Sequence, residues 1–270
     1  MNIMLNLRAL KGRAYPRMIG ALREPSWMFW ETFLPILSMA AYVYVYRSLN
    51  APKEFEGFVI LGGVMTTYWM NVLWGMASQL YWEKETANLQ LYLAAPMSKM
   101  SILAGMALGG MFSTSVRCIS IILMGILIFK VDFVVTNVGL LLGIFGVTLI
   151  ALYGMGMVFA SLFLMWGREA WHLNILMEEP IYFLSGYSFP VKALGSLSAF
   201  ATLIPFTLGL DAMRQLTFPS MAAQWGLVPP HLELVILVVM SITLLYLARV
   251  SLDRMERMGR AKGTLTMRWQ

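Results

Sequence analysis

The sequence has few charged residues and very little cysteine or histidine. Asp, Glu, Lys and Arg make up 13% of its 270 residues, against about 25% in an ordinary soluble domain. So few charges cannot cover the surface of a soluble protein of this length. The chain has one cysteine, Cys118, and two histidines, His172 and His231, so it carries neither a disulfide framework nor a Cys or His pattern for a metal. We therefore expect no metal site.

Motifs for catalysis are absent as well. The sequence has no GxxxxGK[ST] phosphate-binding loop, no HExxH and no GxSxG. Glu178 and Glu179 are adjacent, as are the paired glutamates of CAAX-type intramembrane proteases, but those enzymes also need an arginine shortly after the pair. Residues 180–183 are Pro, Ile, Tyr and Phe. We expect no catalytic residue and no cofactor bound by this chain.

What the sequence has in abundance is long apolar runs. Hydrophobic residues make up 59% of the chain, and they cluster in runs of roughly 18 to 28 residues, the length that crosses a bilayer. The runs cover Ser26–Tyr46, Phe58–Trp82, Ile102–Phe129, Asn137–Trp166, a less regular run from Trp171 to about Ser185, and Leu232–Ala248. We predict an all-α polytopic membrane protein with about six transmembrane helices and the lipid bilayer as its main solvent.

The stretch between the fifth and sixth runs, Val191–Pro230, differs from the rest. It is only partly apolar and is interrupted by glycines and by four prolines, namely Pro205, Pro219, Pro229 and Pro230. Such interruptions favour re-entrant or interfacial helices on the outer face. The alternative is a seventh span over Leu194–Leu216, against which Asp211 and Arg214 argue.

Basic residues predict the orientation. Of the twenty Lys and Arg residues, fourteen lie in segments that share one side if the N-terminus is cytoplasmic, five lie on the other side, and Arg117 lies within a run. The positive-inside rule then places both termini in the cytoplasm. We expect a cytoplasmic amphipathic elbow helix in residues 1–25, a six-span bundle in 26–248 and a basic cytoplasmic tail in 249–270. Because the positive charge flanks the apolar runs, we expect no nucleic-acid partner.

The link between the second and third runs, Glu83–Ser98, has its own pattern. Charged residues come first, Leu89, Tyr92 and Leu93 fall on one helical stripe, and Pro96 stands after the stripe. This pattern predicts a short amphipathic helix lying against the membrane. An ordinary surface helix would show the same stripe.

This link resembles the corresponding segment of ABC-2-type exporter permeases, which reads roughly E-x-E-x-G-T-L-E-x-L-x-x-x-P-x-S. The matching residues are Glu83, Glu85, Leu89, Pro96 and Ser98. The departures are Ala87, Asn88 and Gln90, where the family usually has Gly, Thr and Glu. Two further stretches look like the family: residues 22–25, before the first span, and residues 184–191 with 204–206 and 210–214, after the fifth.

The resemblance implies the membrane subunit of an ATP-driven exporter in a bacterial or archaeal cytoplasmic membrane. It implies ABC ATPase subunits and a second permease copy or paralogue as partners, with ATP and Mg²⁺ bound by the ATPase. The residues it implies for ATPase coupling are Glu83, Lys84, Glu85, Leu89, Tyr92, Pro96 and Arg23. An ATP-independent secondary transporter or channel is the alternative. The substrate stays open among drug-like amphiphiles, lipids, glycan-lipids and ions.

Charged residues inside the apolar runs are the remaining candidates for a site. They are Glu31, Arg117, Glu178 and Glu179, and each costs about 2.5 to 3.5 kcal/mol if it is unpaired at the middle of the membrane. In one interpretation, Arg117 pairs with Glu178 or Glu179 and locks helices together. In the other, one glutamate faces the transport pathway. Adjacent residues point about 100° apart on a helix, so the two glutamates cannot share one role.

Overall fold

The computed structural model describes residues 3–166 and 170–263, and the regular structure of these residues is helical throughout. Within this part of the chain, five helices are long and apolar enough to cross a membrane: Pro25–Ser48, Glu54–Glu85, Lys99–Leu127, Val138–Phe163 and Pro230–Ala261. This confirms the predicted all-α polytopic fold.

The helices follow one another along the chain with short connections. In order they are α1 (Ile3–Arg23), α2 (Pro25–Ser48), α3 (Glu54–Met70), a π-helical segment (Asn71–Ala77), α4 (Gln79–Glu85), α5 (Asn88–Ala94), α6 (Lys99–Leu127), α7 (Val138–Trp166), α8 (Ala170–Ser185), a 3₁₀ helix (Val191–Leu197), α9 (Ser198–Ala201), α10 (Pro205–Thr217), α11 (Pro219–Trp225) and α12 (Pro230–Ala261). The last helix continues past Ala248, so residues 249–261 of the predicted tail are helical.

The fifth predicted run corresponds to helix α8. This helix covers Ala170–Ser185, which agrees closely with the predicted run from Trp171 to about Ser185. Gly186, with a φ of 62°, turns the chain directly after α8, and Pro190 precedes the 3₁₀ helix. The turn at Gly186 therefore ends α8.

The segment after α8 is divided into short helices, as its prolines predict. Gly195 interrupts the 3₁₀ helix with a φ of 59°, and Ile204 is extended before Pro205 begins α10, since the residue before a proline avoids helical angles. A straight seventh span over Leu194–Leu216 is therefore excluded. Helix α10 packs instead against α3, α7 and α12 and is buried over almost its whole length.

The side chain of Arg214 fixes α10 in this position. Its Nη1 donates to the carbonyl oxygens of Gly186 at 2.7 Å and Phe189 at 3.2 Å. Its Nη2 donates to those of Phe58 and Tyr187, each at 2.7 Å. These bonds tie α10 to the start of α3 and satisfy three carbonyl groups of the turn after α8, which has no helical partner for them.

The elbow helix α1 lies along α6 at the other end of the molecule. Two glycines of α6 make this approach possible. A methyl group at Gly105 would lie 2.6 Å from the carbonyl oxygen of Leu10, and one at Gly109 would lie 2.9 Å from Cβ of Arg17. The two helix backbones are thus in direct contact, as small residues allow in membrane proteins.

Gly62 offers a test of the packing around Arg214. A methyl group there would collide with the backbone carbonyl oxygen of Tyr187, one of the acceptors of Arg214. We expect Gly62→Ala to destabilise the protein by roughly 1 to 3 kcal/mol through overpacking, although alanine otherwise favours a helix by about 1 kcal/mol. The matched control is Gly143→Ala, since a methyl group at Gly143 meets nothing within 4 Å. Thermal unfolding in detergent measures both, and equal midpoints would contradict this account.

Candidate functional site

The link between α3 and α6 forms the helix that its sequence predicts. Helix α4 ends at Glu85, the chain turns, and α5 runs from Asn88 to Ala94. The turn depends on Ala87, which has a φ of 65°, a left-handed conformation that costs an L-residue roughly 1 to 2 kcal/mol and glycine very little. The glycine of the ABC-2 pattern at this position therefore has a conformational reason, and Ala87 adopts the same turn at higher cost.

The apolar stripe of α5 faces the protein. Leu89 is 4% exposed, and Tyr92 and Leu93 pack against the core as partly buried residues. The opposite face is open, with Leu91 69% exposed and Gln90 exposed. A docking partner would therefore touch Leu91 and its neighbours, while Leu89 and Tyr92 act by holding α5 against the bundle.

The charged residues before α5 are also directed inward. Glu83 is 4% exposed, forms an ion pair with Arg13 of α1 and accepts a hydrogen bond from Nε2 of Gln79 at 3.1 Å. Lys84 is 3% exposed, and Glu85 is partly buried. Of the remaining residues predicted for ATPase coupling, Arg23 and Pro96 are exposed. Arg23 and Pro96 can therefore contact another protein, whereas the buried Glu83 and Lys84 contact this chain itself.

The π-helical segment Asn71–Ala77, which we call the joint, connects α3 to α4. A wide helical turn of this kind is rare and occurs often at functional sites. Three neighbouring helices donate hydrogen bonds to it: Arg17 Nη2 of α1 to the Gly75 carbonyl at 2.7 Å, Asn174 Nδ2 of α8 to the Leu73 carbonyl at 3.0 Å, and the Tyr153 hydroxyl of α7 to Asn71 Oδ1 at 2.8 Å. The joint is therefore hydrogen-bonded to three other helices.

Arg17 is the charged residue at the joint. Its burial against α6 and the joint lowers the pKa of the guanidinium from its ordinary value, because desolvation disfavours the charged form. An arginine stays protonated nonetheless. A positive charge is consequently held beside the carbonyl oxygen of Gly75.

A cavity of about 410 Å³ opens between α2, α3, α6 and α8, and we call it the polar cavity. Its polar lining residues are Glu31, Ser38, Thr66, Thr67, Arg117, Tyr182 and Tyr187, and its apolar ones include Leu34, Met39 and Met70. The hydroxyl groups of Tyr187 and Tyr42 lie 2.9 Å apart. A partly apolar molecule with a hydrogen-bonding group suits such a lining.

The charged pair in this cavity is Arg117 with Glu31. Arg117 Nη1 forms an ion pair with Glu31 Oε2, and its Nη2 donates to Thr114 Oγ1 at 3.0 Å. The side chain of Arg117 is 10% exposed and that of Glu31 is 37% exposed. The pair joins α2 to α6 and presents the carboxylate side to the cavity.

The prediction that Arg117 pairs with Glu178 or Glu179 is therefore wrong. Glu178 Oε2 accepts a hydrogen bond from Trp74 Nε1 at 2.9 Å, and Glu179 is exposed. Helix α2, which is among the helices that pack on α6, supplies the partner of Arg117 instead.

Sequence reasoning missed two asparagines, Asn71 of the joint and Asn174 of α8, which donates to the joint. Asn71 and Asn174 carry no charge, and the search for intramembrane charges passes over them. The signal was present, because an asparagine inside an apolar run needs a hydrogen-bonding partner in the bilayer. The sequence does not indicate which backbone carbonyl such an asparagine binds.

The Arg117–Glu31 pair predicts an asymmetric response to substitution. Glu31→Gln leaves a buried guanidinium without its counter-charge, and we expect a loss of roughly 1 to 3 kcal/mol of stability, near the lower end because Glu31 is partly exposed. Adding Arg117→Leu to this variant should restore much of the loss. Glu179→Gln removes the same charge from an exposed position and serves as control. Equal unfolding midpoints for the two single variants would show that the pair contributes nothing.

A known protein family matches more than half of this chain. The family model described as ABC-2 type transporter matches residues 16–218, more than half of the 270 residues. No curated protein matches the chain. The matched region includes the joint, α5 and the lining of the polar cavity. The chain belongs to the ABC-2 type transporter family, and it is a multi-pass permease component of an ABC transporter.

Proposed function

We propose that this permease forms half of the translocation pathway of an ATP-driven exporter and couples to a separate ATPase subunit. The observation that carries the proposal is the continuity of α3, the joint and α4, which runs from the polar cavity to the docking helix α5. Met70 lines the cavity at one end of the joint, and Glu83 is held to α1 at the other. A displacement of α5 by a partner therefore has a short physical route to the cavity.

In this proposal the ATPase supplies the nucleotide chemistry. ATP and Mg²⁺ bind to the partner, and this chain contributes no cofactor or catalytic group. The ATPase contacts the exposed face of α5 around Leu91, with Arg23 and Pro96 as further exposed candidates. Glu83 and Lys84 would act one step further in, by making α4 and α1 move together.

A second permease, identical or paralogous, would complete the pathway. Helix α2, which borders the polar cavity, leaves large apolar side chains uncovered, among them Trp30 at 56%, Leu34 at 55% and Leu37 at 57% exposure. In a dimer such a surface and the adjoining cavity would face the other subunit. The transported molecule would then be a partly apolar compound that carries a hydrogen-bonding group.

Reconstitution tests the proposal directly. The permease in liposomes should move substrate only when the ATPase subunit, ATP and Mg²⁺ are all present on one side. Substrate movement by the permease alone would identify a secondary transporter or channel instead.

A substitution at Leu91 tests whether the ATPase binds the exposed face of α5, which we call the docking face. We expect Leu91→Glu to reduce ATPase co-purification and ATP-driven transport by at least about tenfold, because a charge replaces an apolar contact at the centre of the face. The protein should keep its unfolding midpoint, since Leu91 is 69% exposed. Gln90→Glu adds the same charge at the next residue and should retain coupling, because the ABC-2 pattern carries glutamate there. Normal coupling in Leu91→Glu would place the interface elsewhere.

The orientation can be tested by cysteine labelling in a Cys118→Ala background. With both termini in the cytoplasm of a bacterial or archaeal cell, Lys53 lies outside and Asn88 inside, and both are exposed. An impermeant maleimide should label Lys53→Cys in intact cells, and Asn88→Cys only after permeabilisation. The reverse pattern would invert the topology and remove α5 from reach of a cytoplasmic ATPase.

A further inference from the structure

A second cavity lies between α1 and the end of the joint, separate from the polar cavity. It has a volume of about 460 Å³ and is lined by Arg13, Pro16, Arg17, Trp74, Gly75, Gln79 and Trp82. We call it the arginine cavity. The coupling to the ATPase described above assigns it no role.

The charge of Arg17 is the feature that needs an explanation. None of the ion pairs among the described residues includes Arg17, so its guanidinium has no carboxylate partner there. Its Nη2 donates to the Gly75 carbonyl, while its Nη1 is buried without a hydrogen-bond partner. A buried charge without pairing is costly. The guanidinium therefore lacks an anion.

Among the described residues, Arg117 and Arg214 have stronger partners than Arg17 does, although the Nε atom of each is also buried without a hydrogen-bond partner. Arg117 pairs with Glu31, and Arg214 donates to four carbonyl oxygens. Glu31 also acts electrostatically on Arg17, but its carboxylate is already paired. Arg13, which shares the cavity with Arg17, is neutralised by Glu83. The lining is thus left with one net positive charge, located on Arg17.

The remaining lining residues indicate what kind of anion fits. A guanidinium has the planar geometry that binds phosphate oxygens. Trp74 and Trp82 line the same cavity, and tryptophans occur typically at the depth of lipid headgroups. Large apolar side chains are exposed on α1, the helix that carries Arg17, and at the start of α2, with Tyr15 at 65%, Trp27 at 64% and Leu22 at 51%. They provide a surface for acyl chains, which a free phosphate ion would not use.

We propose that the arginine cavity binds the phosphate headgroup of an anionic lipid in the leaflet on the α5 side of the bundle, with Arg17 as the main anion-binding residue. Because Arg17 also donates to the Gly75 carbonyl, the bound headgroup fixes the contact between α1 and the joint. The proposal rests on the proposed orientation only for the name of the leaflet. Lipid binding itself requires neither an ATPase nor transport.

The experiment measures lipid retention by the full-length chain. The protein is placed in phosphatidylcholine nanodiscs that contain a minor fraction of phosphatidylglycerol, transferred to neutral detergent and examined by native mass spectrometry. We expect the wild-type chain to retain phosphatidylglycerol selectively, and Arg17→Gln to lower that retention at least about tenfold, the effect of losing one charged contact. Arg8→Gln makes the same change at an exposed position on α1 and should bind normally.

Two further variants guard against a folding defect. Arg17→Lys keeps the charge but not the planar group, and we expect it to fold and to bind severalfold more weakly. Trp82→Ala changes a cavity residue that is 51% exposed, and it should also weaken retention. Normal phosphatidylglycerol retention in Arg17→Gln and Trp82→Ala would overturn the proposal, as would an equal loss in Arg8→Gln.

A separate measurement distinguishes a lipid from a free ion. Inorganic phosphate is titrated into the delipidated chain while thermal unfolding is followed. If the site is built for a lipid, phosphate alone should raise the midpoint much less than phosphatidylglycerol does. An equal stabilisation by inorganic phosphate, abolished in Arg17→Gln, would identify a soluble phosphate ligand and refute the lipid assignment. None of these results depends on whether the permease is driven by ATP.

Discussion

The four carbonyl oxygens around Arg214 hold together the end of the bundle opposite α5. The chain leaves α8 at Gly186, and its next few residues form no helix, so their carbonyl groups have no partners within a helix. In lipid such groups must be satisfied by the protein itself. One guanidinium binds three of them and a fourth on α3. The Tyr46 hydroxyl donates to the Ser188 carbonyl at 2.8 Å, so Arg214 and Tyr46 together satisfy the turn and allow the short helices that follow to pack into the bundle.

The same requirement governs the joint at the other end of α3. A π-helical turn shifts the backbone hydrogen bonds from their usual spacing. Here the carbonyls of Leu73 and Gly75 accept from Asn174 and Arg17. Because these donors belong to α8 and α1, the irregular turn is also the point where those helices are attached. The same hydrogen bonds therefore satisfy the backbone of the joint and connect the joint to α8 and α1.

Sequence reasoning predicts the helices well and their mutual contacts poorly. The expected run Asn137–Trp166 corresponds to α7 at Val138–Trp166, because apolar length is a property of the chain alone. The partner predicted for Arg117 was wrong, because the sequence does not indicate which helix lies beside which. Glu83 has the pattern of an exposed docking charge, yet it is buried against Arg13, because nothing in the link indicates where α1 lies.

The ion pairs also indicate where the bundle is stiff and where it can move. Arg13 with Glu83 joins α1 to α4, and Lys99 with Glu256 joins α6 to α12. In both pairs the carboxylate is almost fully buried, so separating the pair would leave that carboxylate uncompensated. Helices joined in this way move as a unit. In the joint Asn71–Ala77 the hydrogen-bond acceptors are neutral carbonyl and amide groups instead. Most of these hydrogen bonds cost less free energy to break than an ion pair does. Motion that begins at α5 is accordingly expected to be taken up at the joint, next to the polar cavity.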